Sequence, residues 1–328
     1  MKKIFGGFTI ALMCMSHTAH AQMSAGGSTF ARRLMDSWTE AYGGSVGGMR
    51  YEAVGSSTGV ARVKAGELDL AVSDIPLTEA GLKQSNLKQI PLAASGVAVL
   101  VNLPELGGKP LRLTGAILAD IFLGRIKQWN ASTIAGINPD IKLPGRTIVP
   151  IWREDGSGQS NVFSAYLSRQ DTGWRRGKGT TSELTGLAGR GVRGGAAVLE
   201  AVRTTPGAVG YDAFAAQLPA GVTASAMLNA SEQYVAPSGA SIGEALSKAR
   251  WGFSHGENAA DLDASPGAGS YPLTAVAYAV YPVKPLGTRK PIAPFLERVT
   301  AEGDAQIPAS GFLRLPANVK SEVQKALR

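Results

Sequence analysis

One glycine- and serine-rich loop, residues 152–161 (WREDGSGQSN), holds the side chains best suited to binding an anion. An apolar, strand-like run at 147–151 precedes it, and a helix-like run at 162–167 follows it. A helix that begins in such a loop directs backbone N–H groups and the positive end of its dipole into the loop. Arg153 and the hydroxyl of Ser157 add charged and neutral donors, so the loop predicts a specific anion site.

Two further loops rich in Gly, Ser and Thr also stand directly before helical patterns, at Ser28-Thr29 and at Ser56-Ser57. Each loop alone is typical of a helix N-cap, and Ser28 or Thr29 is predicted to cap the first helix. Three such loops at one place would surround a small anion with N–H and O–H donors. Their spacing along the sequence does not show whether they meet.

An alternative interpretation makes the second loop catalytic. Residues 55–59 (GSSTG) fit the G-x-S-x-G nucleophile elbow, with a strand pattern before and a helix pattern after, so Ser57 would be the nucleophile of a serine hydrolase. Such an enzyme needs a base. His17 and His20 lie in the N-terminal leader, and His255 lies in an apparent surface loop, so a non-enzymatic protein is the preferred prediction.

Two other patterns are interpreted without a function, and the Cys and His residues indicate no metal site. Residues 189–194 (GRGVRG) fit G-x-G-x-x-G, but no convincing buried strand precedes them, and a flexible entry to a helix at 196–202 is predicted. The basic run at 175–178 has no interleaved aromatic residues, so a solvated loop and no nucleic-acid partner are expected. No Cys/His cluster has the spacing of metal ligands, so neither a metal nor a cofactor is expected.

Short strand and helix patterns alternate along the chain, which predicts an α/β protein, and the length of 328 residues favours two domains. Apolar residues repeat every four positions from Phe30 to Tyr42, which predicts a helix, and a second helix is predicted to end near Gly66. The tail from residue 292 is predicted to be mostly helical. Strands are predicted at 49–54, 69–73, 97–101, 207–211 and 273–281.

The first 21 residues have the pattern of a cleavable secretory signal peptide. Lys2 and Lys3 are followed by an apolar core at 4–15, and Ala19-His20-Ala21 is a small-x-small cleavage site, so the mature chain is expected to begin at Gln22. The single cysteine, Cys14, lies inside this segment, as suits an exported protein. A periplasmic location is therefore expected. The net charge of +8 is compatible with an anionic ligand but does not identify one.

Several stretches, in order along the mature chain, resemble the phosphate-binding proteins of the phosphate-uptake ABC transporter. The matching stretches are residues 26–30, 55–60, 69–77, 118–130, 153–158, 206–211 and 271–274. The resemblance implies a two-lobed (type II) periplasmic binding protein, in which each lobe is a mixed sheet flanked by helices. Lobe one would comprise residues 22–95 and 271–328, and lobe two residues 96–270.

The resemblance also implies a set of phosphate ligands. Phe30 and Gly158 would contribute backbone N–H groups, and Asp155 would hold Arg153 by an ion pair. The whole implied set is Thr29, Phe30, Ser56, Asp74, Arg153, Asp155, Ser157, Gly158 and Gln159.

Asp74 has a role that follows from its chemistry once it is placed in an anion site. An ionised carboxylate only accepts hydrogen bonds, so it favours an anion that brings a proton. Phosphate carries a proton at neutral pH and sulfate does not. Asp74 is therefore predicted to exclude sulfate by a repulsive, unpaired contact.

Two residues depart from the family pattern. Gln159 stands where the family commonly has a small hydroxyl residue, so its backbone N–H is kept and a hydroxyl contact is lost. Glu154 adds a negative charge beside Arg153, and the sequence leaves open whether it faces solvent or weakens anion binding.

The function expected from the resemblance is capture of inorganic phosphate by a monomeric protein and its delivery to the membrane subunits of an ABC permease. The alternatives are a secreted oxyanion scavenger or sensor without a transporter, and the hydrolase based on Ser57.

Overall fold

The computed structural model describes residues 22–252, 259–262, 266–285 and 291–328. The predicted signal peptide and His255 lie outside these residues. The strands are β1 (Met23–Gly27), β2 (Met49–Glu52), β3 (Leu70–Ser73), β4 (Leu87–Val101), β5 (Arg112–Leu113), β6 (Val149–Arg153), β7 (Arg190–Val192), β8 (Ala208–Ala213), β9 (Thr223–Ala224), β10 (Ala226–Leu228), β11 (Tyr234–Val235), β12 (Arg250–Gly252), β13 (Ala259–Asp261) and β14 (Thr274–Pro282). The α-helices are α1 (Arg32–Tyr42), α2 (Ser56–Lys64), α3 (Glu79–Ser85), α4 (Gly115–Phe122), α5 (Ser132–Gly136), α6 (Gly158–Gln170), α7 (Thr172–Gly177), α8 (Gly195–Thr204), α9 (Gly239–Lys248), α10 (Ala293–Glu302) and α11 (Ala317–Leu327).

A nine-stranded mixed sheet runs through the molecule in the order β2-β1-β3-β14-β4-β8-β6-β7, and β9 pairs with β4. β1 lies parallel to β2 and β3, and β6 lies parallel to β7 and β8. The antiparallel strands β4 and β14 join these two parallel groups. The predicted α/β class with mixed sheets is confirmed.

β4 connects the two halves because it changes partner along its length. It pairs with β14 as far as Gly96 and with β8 from Val97 onward. This change falls beside the predicted lobe boundary at 95/96. The assignment of residues 22–95 and 271–328 to one lobe and 96–270 to the other stays a prediction.

Each half has its own hydrophobic core. Leu34, Met35 and Trp38 of α1 are buried among strand residues of the first half, and the indole N–H of Trp38 donates to the carbonyl of Gly303 at 3.0 Å. In the second half, Phe163 of α6 stacks on Tyr211 of β8, with ring centroids 4.3 Å apart. The packing of α6 on β8 fixes where the α6 N-terminus lies.

Two local predictions were wrong. The basic run at 175–178 is mostly helical, because α7 ends at Gly177 and its buried Trp174 anchors it. The segment 189–194 is not simply a flexible helix entry, because β7 occupies Arg190–Val192 and pairs with the end of β6.

Candidate functional site

Asp74 lies at the centre of the three glycine- and serine-rich loops. It follows the last residue of β3 and its side chain is buried. Its Oδ2 atom accepts hydrogen bonds from the hydroxyls of Ser28 at 2.5 Å and Ser56 at 3.1 Å. Its Oδ1 atom is also buried and has no hydrogen-bond partner among the described residues. Therefore only one of the two carboxylate oxygens accepts hydrogen bonds from the described residues.

The protonation of Asp74 follows from this setting. Burial raises the pKa of Asp74 to about 6, and the hydrogen bonds from Ser28 and Ser56 and the charge of Arg153 oppose a larger rise. At neutral pH the side chain is thus mostly ionised. It presents an acceptor, and no donor, to whatever meets Oδ1.

Two hydroxyls that bond Asp74, those of Ser28 and Ser56, were predicted to have other roles. α1 begins at Arg32 with Ala31 as an N-cap that makes no side-chain capping bond, and Ser28 Oγ accepts from the Ala31 N–H at 3.1 Å. The prediction that Ser28 or Thr29 caps α1 was therefore wrong. Ser56 also makes no cap, since it is the first residue of α2. The hydroxyls of Ser28 and Ser56 both donate to the carboxylate, because a buried charge without hydrogen bonds would destabilise the fold.

Arg153 is the cation of the site, and it is fully buried at the end of β6. Its Nε and Nη2 atoms donate to the two carboxylate oxygens of Asp155 at 2.6 and 2.5 Å, in a bidentate pair. Nη2 also donates to the hydroxyl of Thr29 at 3.2 Å. Burial pushes the pKa of Asp155 upward, but hydrogen bonds from Arg153 and the Gly194 N–H outweigh it and hold that pKa below its usual value.

Ser157 caps α6 as the loop pattern predicts. Its hydroxyl accepts from the backbone N–H groups of Gln159 at 3.2 Å and Ser160 at 3.5 Å. The next residue, Gly158, lies against the side chain of Asp74 so closely that a β-carbon would overlap the carboxyl group. The positive end of α6 and the carboxylate of Asp74 therefore share one small space.

The loops of the two halves touch each other around this space. Ser57 Oγ lies 3.1 Å from Ser182 Oγ. Gly55, at φ 93°, lies so close to Gly156 that a β-carbon on it would be 2.6 Å from the Gly156 carbonyl oxygen. The Arg153–Thr29 bond makes a third link. The structure thus brings together the three loops whose convergence the spacing could not show.

Two further predicted ligands, Phe30 and Gln159, lie around this space, and Glu154 lies outside it. The ring of Phe30 packs on Phe312, with centroids 4.8 Å apart, which holds the backbone between Thr29 and α1 in place. Gln159 is 2% exposed and turns its side chain toward Arg153. Glu154 is exposed, with a carboxylate oxygen 4.0 Å from Arg193, so it faces solvent and not the site.

Sequence reasoning missed three residues that shape the site. Ser28 was interpreted as a cap, although it bonds Asp74. The Tyr211 hydroxyl accepts from the Arg153 backbone N–H at 3.2 Å and lies 2.7 Å from Ser160 Oγ. Asp212 accepts from the Gln159 side chain at 2.9 Å. Tyr211 and Asp212 lie in or beside an apolar run that signals only a strand.

The hydrolase interpretation gains no support from the site. The segment 55–59 does pass from a loop into a helix, but the hydroxyl of Ser57 meets another hydroxyl, that of Ser182. All three histidines of the sequence lie outside the described residues. Within the described ranges, no group of three or more His, Cys, Asp and Glu side chains is arranged to hold a metal ion.

Comparison with known proteins identifies the family. The PBP superfamily domain matches residues 15–301. The phosphate-binding protein PstS of Xylella fastidiosa is 34% identical over 312 residues, which cover 94% of this chain and 85% of that protein. The phosphate-binding protein PstS of Haemophilus influenzae is 30% identical over 306 residues, which cover 92% and 91%. The chain belongs to the PstS family. The resemblance stated from its motifs is confirmed.

Solved structures share the fold of this PstS family member. A periplasmic phosphate-binding protein bound with phosphate (PfluDING) superposes with a TM-score of 0.67 at 20% identity, covering 93% of each chain. A putative phosphate ABC transporter substrate-binding protein from Clostridium perfringens gives a TM-score of 0.63 at 19% identity, covering 90% of this chain and 99% of the other. Across the described part of this chain, no helix is both long and apolar enough to cross a bilayer.

Proposed function

We propose that this PstS family member captures inorganic phosphate in the periplasm and delivers it to an ABC permease. The names of its relatives support this function, and one observation of the site carries it. A buried cation, Arg153, lies near a buried carboxylate, Asp74, whose Oδ1 atom has no partner among the described residues. An oxyanion that also brings a proton satisfies both groups, as phosphate does.

The proposed ligands are the nine residues that the motifs indicate. Thr29 would donate a hydroxyl bond from one side of the anion, and Ser56, whose proton is bonded to Asp74 in the structure, would turn that proton to the anion on binding. Arg153, Ser157 and the N-terminus of α6 would donate from the other. The two groups come from opposite halves, which supports our proposal that the anion binds between two lobes and that they close by a hinge motion.

Calorimetry of the mature chain, from Gln22 onward, tests the binding step. We expect phosphate and arsenate to bind, because both carry a proton at neutral pH, and sulfate to bind much more weakly. An absence of phosphate binding would contradict the proposed function. Sulfate binding as tight as phosphate would contradict the role of Asp74 while leaving anion capture in place.

A second experiment separates transport from scavenging, and a third tests the hydrolase alternative. Phosphate uptake by cells that lack this chain should be restored by the chain only when its partner permease is present. The chain should be found as a monomer in the periplasmic fraction with Gln22 at its N-terminus. Ester hydrolysis that is present and is lost on Ser57→Ala would instead support an enzyme.

A further inference from the structure

The side chain of Gln159 bridges two charged residues, and this contact has no counterpart in the small hydroxyl residue expected there. Its Oε1 atom accepts from Arg153 Nη1 at 2.6 Å, and its Nε2 atom donates to Asp212 Oδ1 at 2.9 Å. A guanidinium has only donors and an ionised carboxylate has only acceptors. The amide of Gln159 can therefore bond both neighbours only when its oxygen faces Arg153 and its NH₂ group faces Asp212.

This bridge fixes a corner of the guanidinium that Asp155 does not reach. Asp155 holds the edge formed by Nε and Nη2, and Thr29 takes a second Nη2 bond. Gln159 takes one bond from Nη1. Of the five N–H bonds of an arginine, about one, on Nη1, then remains for an anion. Because a guanidinium is planar, Asp155 fixes one edge of the plane, and Gln159 limits the tilt of Nη1 and its last donor about that edge.

Asp212 is suited to be the fixed end of the bridge. It lies within β8, a strand paired with both β4 and β6, so its backbone is held independently of the anion-binding loops. A β-carbon at Gly195 would overlap its carboxyl group, so the N-terminus of α8 covers it closely. Burial raises the pKa of Asp212, whereas the Ala213 N–H and Gln159 lower it. The carboxylate thus depends on Gln159 for one of its hydrogen bonds.

We propose that Gln159 and Asp212 form a positioning pair for Arg153, in which Asp212 directs the Gln159 carbonyl oxygen toward the guanidinium. Without Asp212 the Nε2 atom of Gln159 loses its acceptor, and the amide is held by Arg153 alone. The side chain can then rotate away from the guanidinium, so Arg153 Nη1 loses its support and its remaining donor is no longer fixed toward the anion. The binding readout of this proposal rests on the proposed function.

Two neutral variants separate positioning from charge. Asp212→Asn and Asp212→Ala both remove the negative charge, but the asparagine keeps an amide oxygen that can accept from Gln159 Nε2. We expect phosphate, measured by calorimetry, to bind about tenfold more weakly to Asp212→Ala than to Asp212→Asn, a difference of about 1.4 kcal/mol. In a Gln159→Ala background this difference should disappear. Equal affinities of the two variants, or a tenfold gap that persists without Gln159, would overturn the proposal.

A second readout needs no ligand. ¹⁵N–¹H spectra report slowly exchanging guanidinium protons, and the Nη1 protons of Arg153 should be visible in the wild type and in Asp212→Asn but lost in Asp212→Ala. The Nε proton, which is bonded to Asp155, should stay visible in all three. Circular dichroism checks that each variant is folded. If the wild type binds no phosphate, the proposed function fails while this spectrum still tests the positioning pair. Unchanged Nη1 signals of Arg153 in folded Asp212→Ala would refute it.

Discussion

Replacing Asp74 by asparagine tests the electrostatics of the site most directly. The native protein holds the proton of Asp74 more tightly than the unfolded chain does, because burial raises its pKa from the ordinary 3.8 to about 6. The ionised side chain therefore costs stability above pH 6, and this cost declines as the pH falls toward 4. At about 1.4 kcal/mol per pH unit, the difference between these two pKa values corresponds to a loss of about 3 kcal/mol in the free energy of unfolding at pH 8.

We expect Asp74→Asn to be more stable than the wild type at pH 8, by up to about 3 kcal/mol, and equal to it near pH 4. Urea denaturation at pH 4, 6 and 8, in buffers without phosphate, measures the difference. The amide can still accept from Ser28 and Ser56 through its oxygen, and its NH₂ group then takes the place of Oδ1. Because that group is a donor, the variant should bind sulfate measurably.

Asp155→Asn is the matched control, since it should show the opposite sign. The pKa of Asp155 lies below its usual value, so the ionised form stabilises the native state and this contribution is lost as the pH falls through that pKa. The variant leaves Arg153 buried without its charged partner, and at pH 8 it should be less stable than the wild type by about 3–5 kcal/mol. An Asp74→Asn variant that is no more stable at pH 8, and still rejects sulfate, would refute the reasoning.

Three further substitutions test the other contacts of the site. Arg153→Ala should abolish phosphate binding in calorimetry, and wild-type affinity would show that the loop is not the anion site. Ser28→Ala removes a donor to Asp74, so the pKa of Asp74 should rise further in a carboxyl NMR titration; an unchanged pKa would contradict the contact. Gly158→Ala places a methyl group against the Asp74 carboxyl and should lower the free energy of unfolding, measured by urea denaturation, by about 1–3 kcal/mol, whereas Gly136→Ala, which meets nothing within 4 Å, should not.

The strands were largely predictable from the sequence because their signals are local. The apolar run at 69–73 became β3 (Leu70–Ser73), and the run at 273–281 became β14 (Thr274–Pro282). The run at 97–101 identified only the end of β4, which begins at Leu87. The earlier part of β4 contains Pro91 and polar residues, so its own sequence does not have the pattern of a buried strand. It is buried because it pairs with β14.

The roles of individual hydroxyls were less predictable, because the local pattern of an N-cap does not show which distant group the hydroxyl meets. Ser157 caps its helix, because its hydroxyl accepts from N–H groups in the first turn of that helix. Ser28 and Ser56 have the same local pattern, but they meet Asp74, which lies 46 and 18 residues farther along the chain. The pairing of Gln159 with Asp212 spans 53 residues and has no local signature. Long-range partners decide these roles.

The position of Asp74 links selection of the anion to closure of the site. Ser28 and Ser56 hold the carboxylate within one half of the molecule, whereas Gly158 and Arg153 approach it from the other. If the halves are the proposed lobes, an anion on the Arg153 side meets Asp74 only when they come together. A protonated anion then gains a hydrogen bond to Oδ1, and a fully deprotonated one meets a buried negative charge at close range. Under the proposed two-lobed closure, discrimination is exerted in the closing step, and sulfate should fail to close the protein even where it binds the open form.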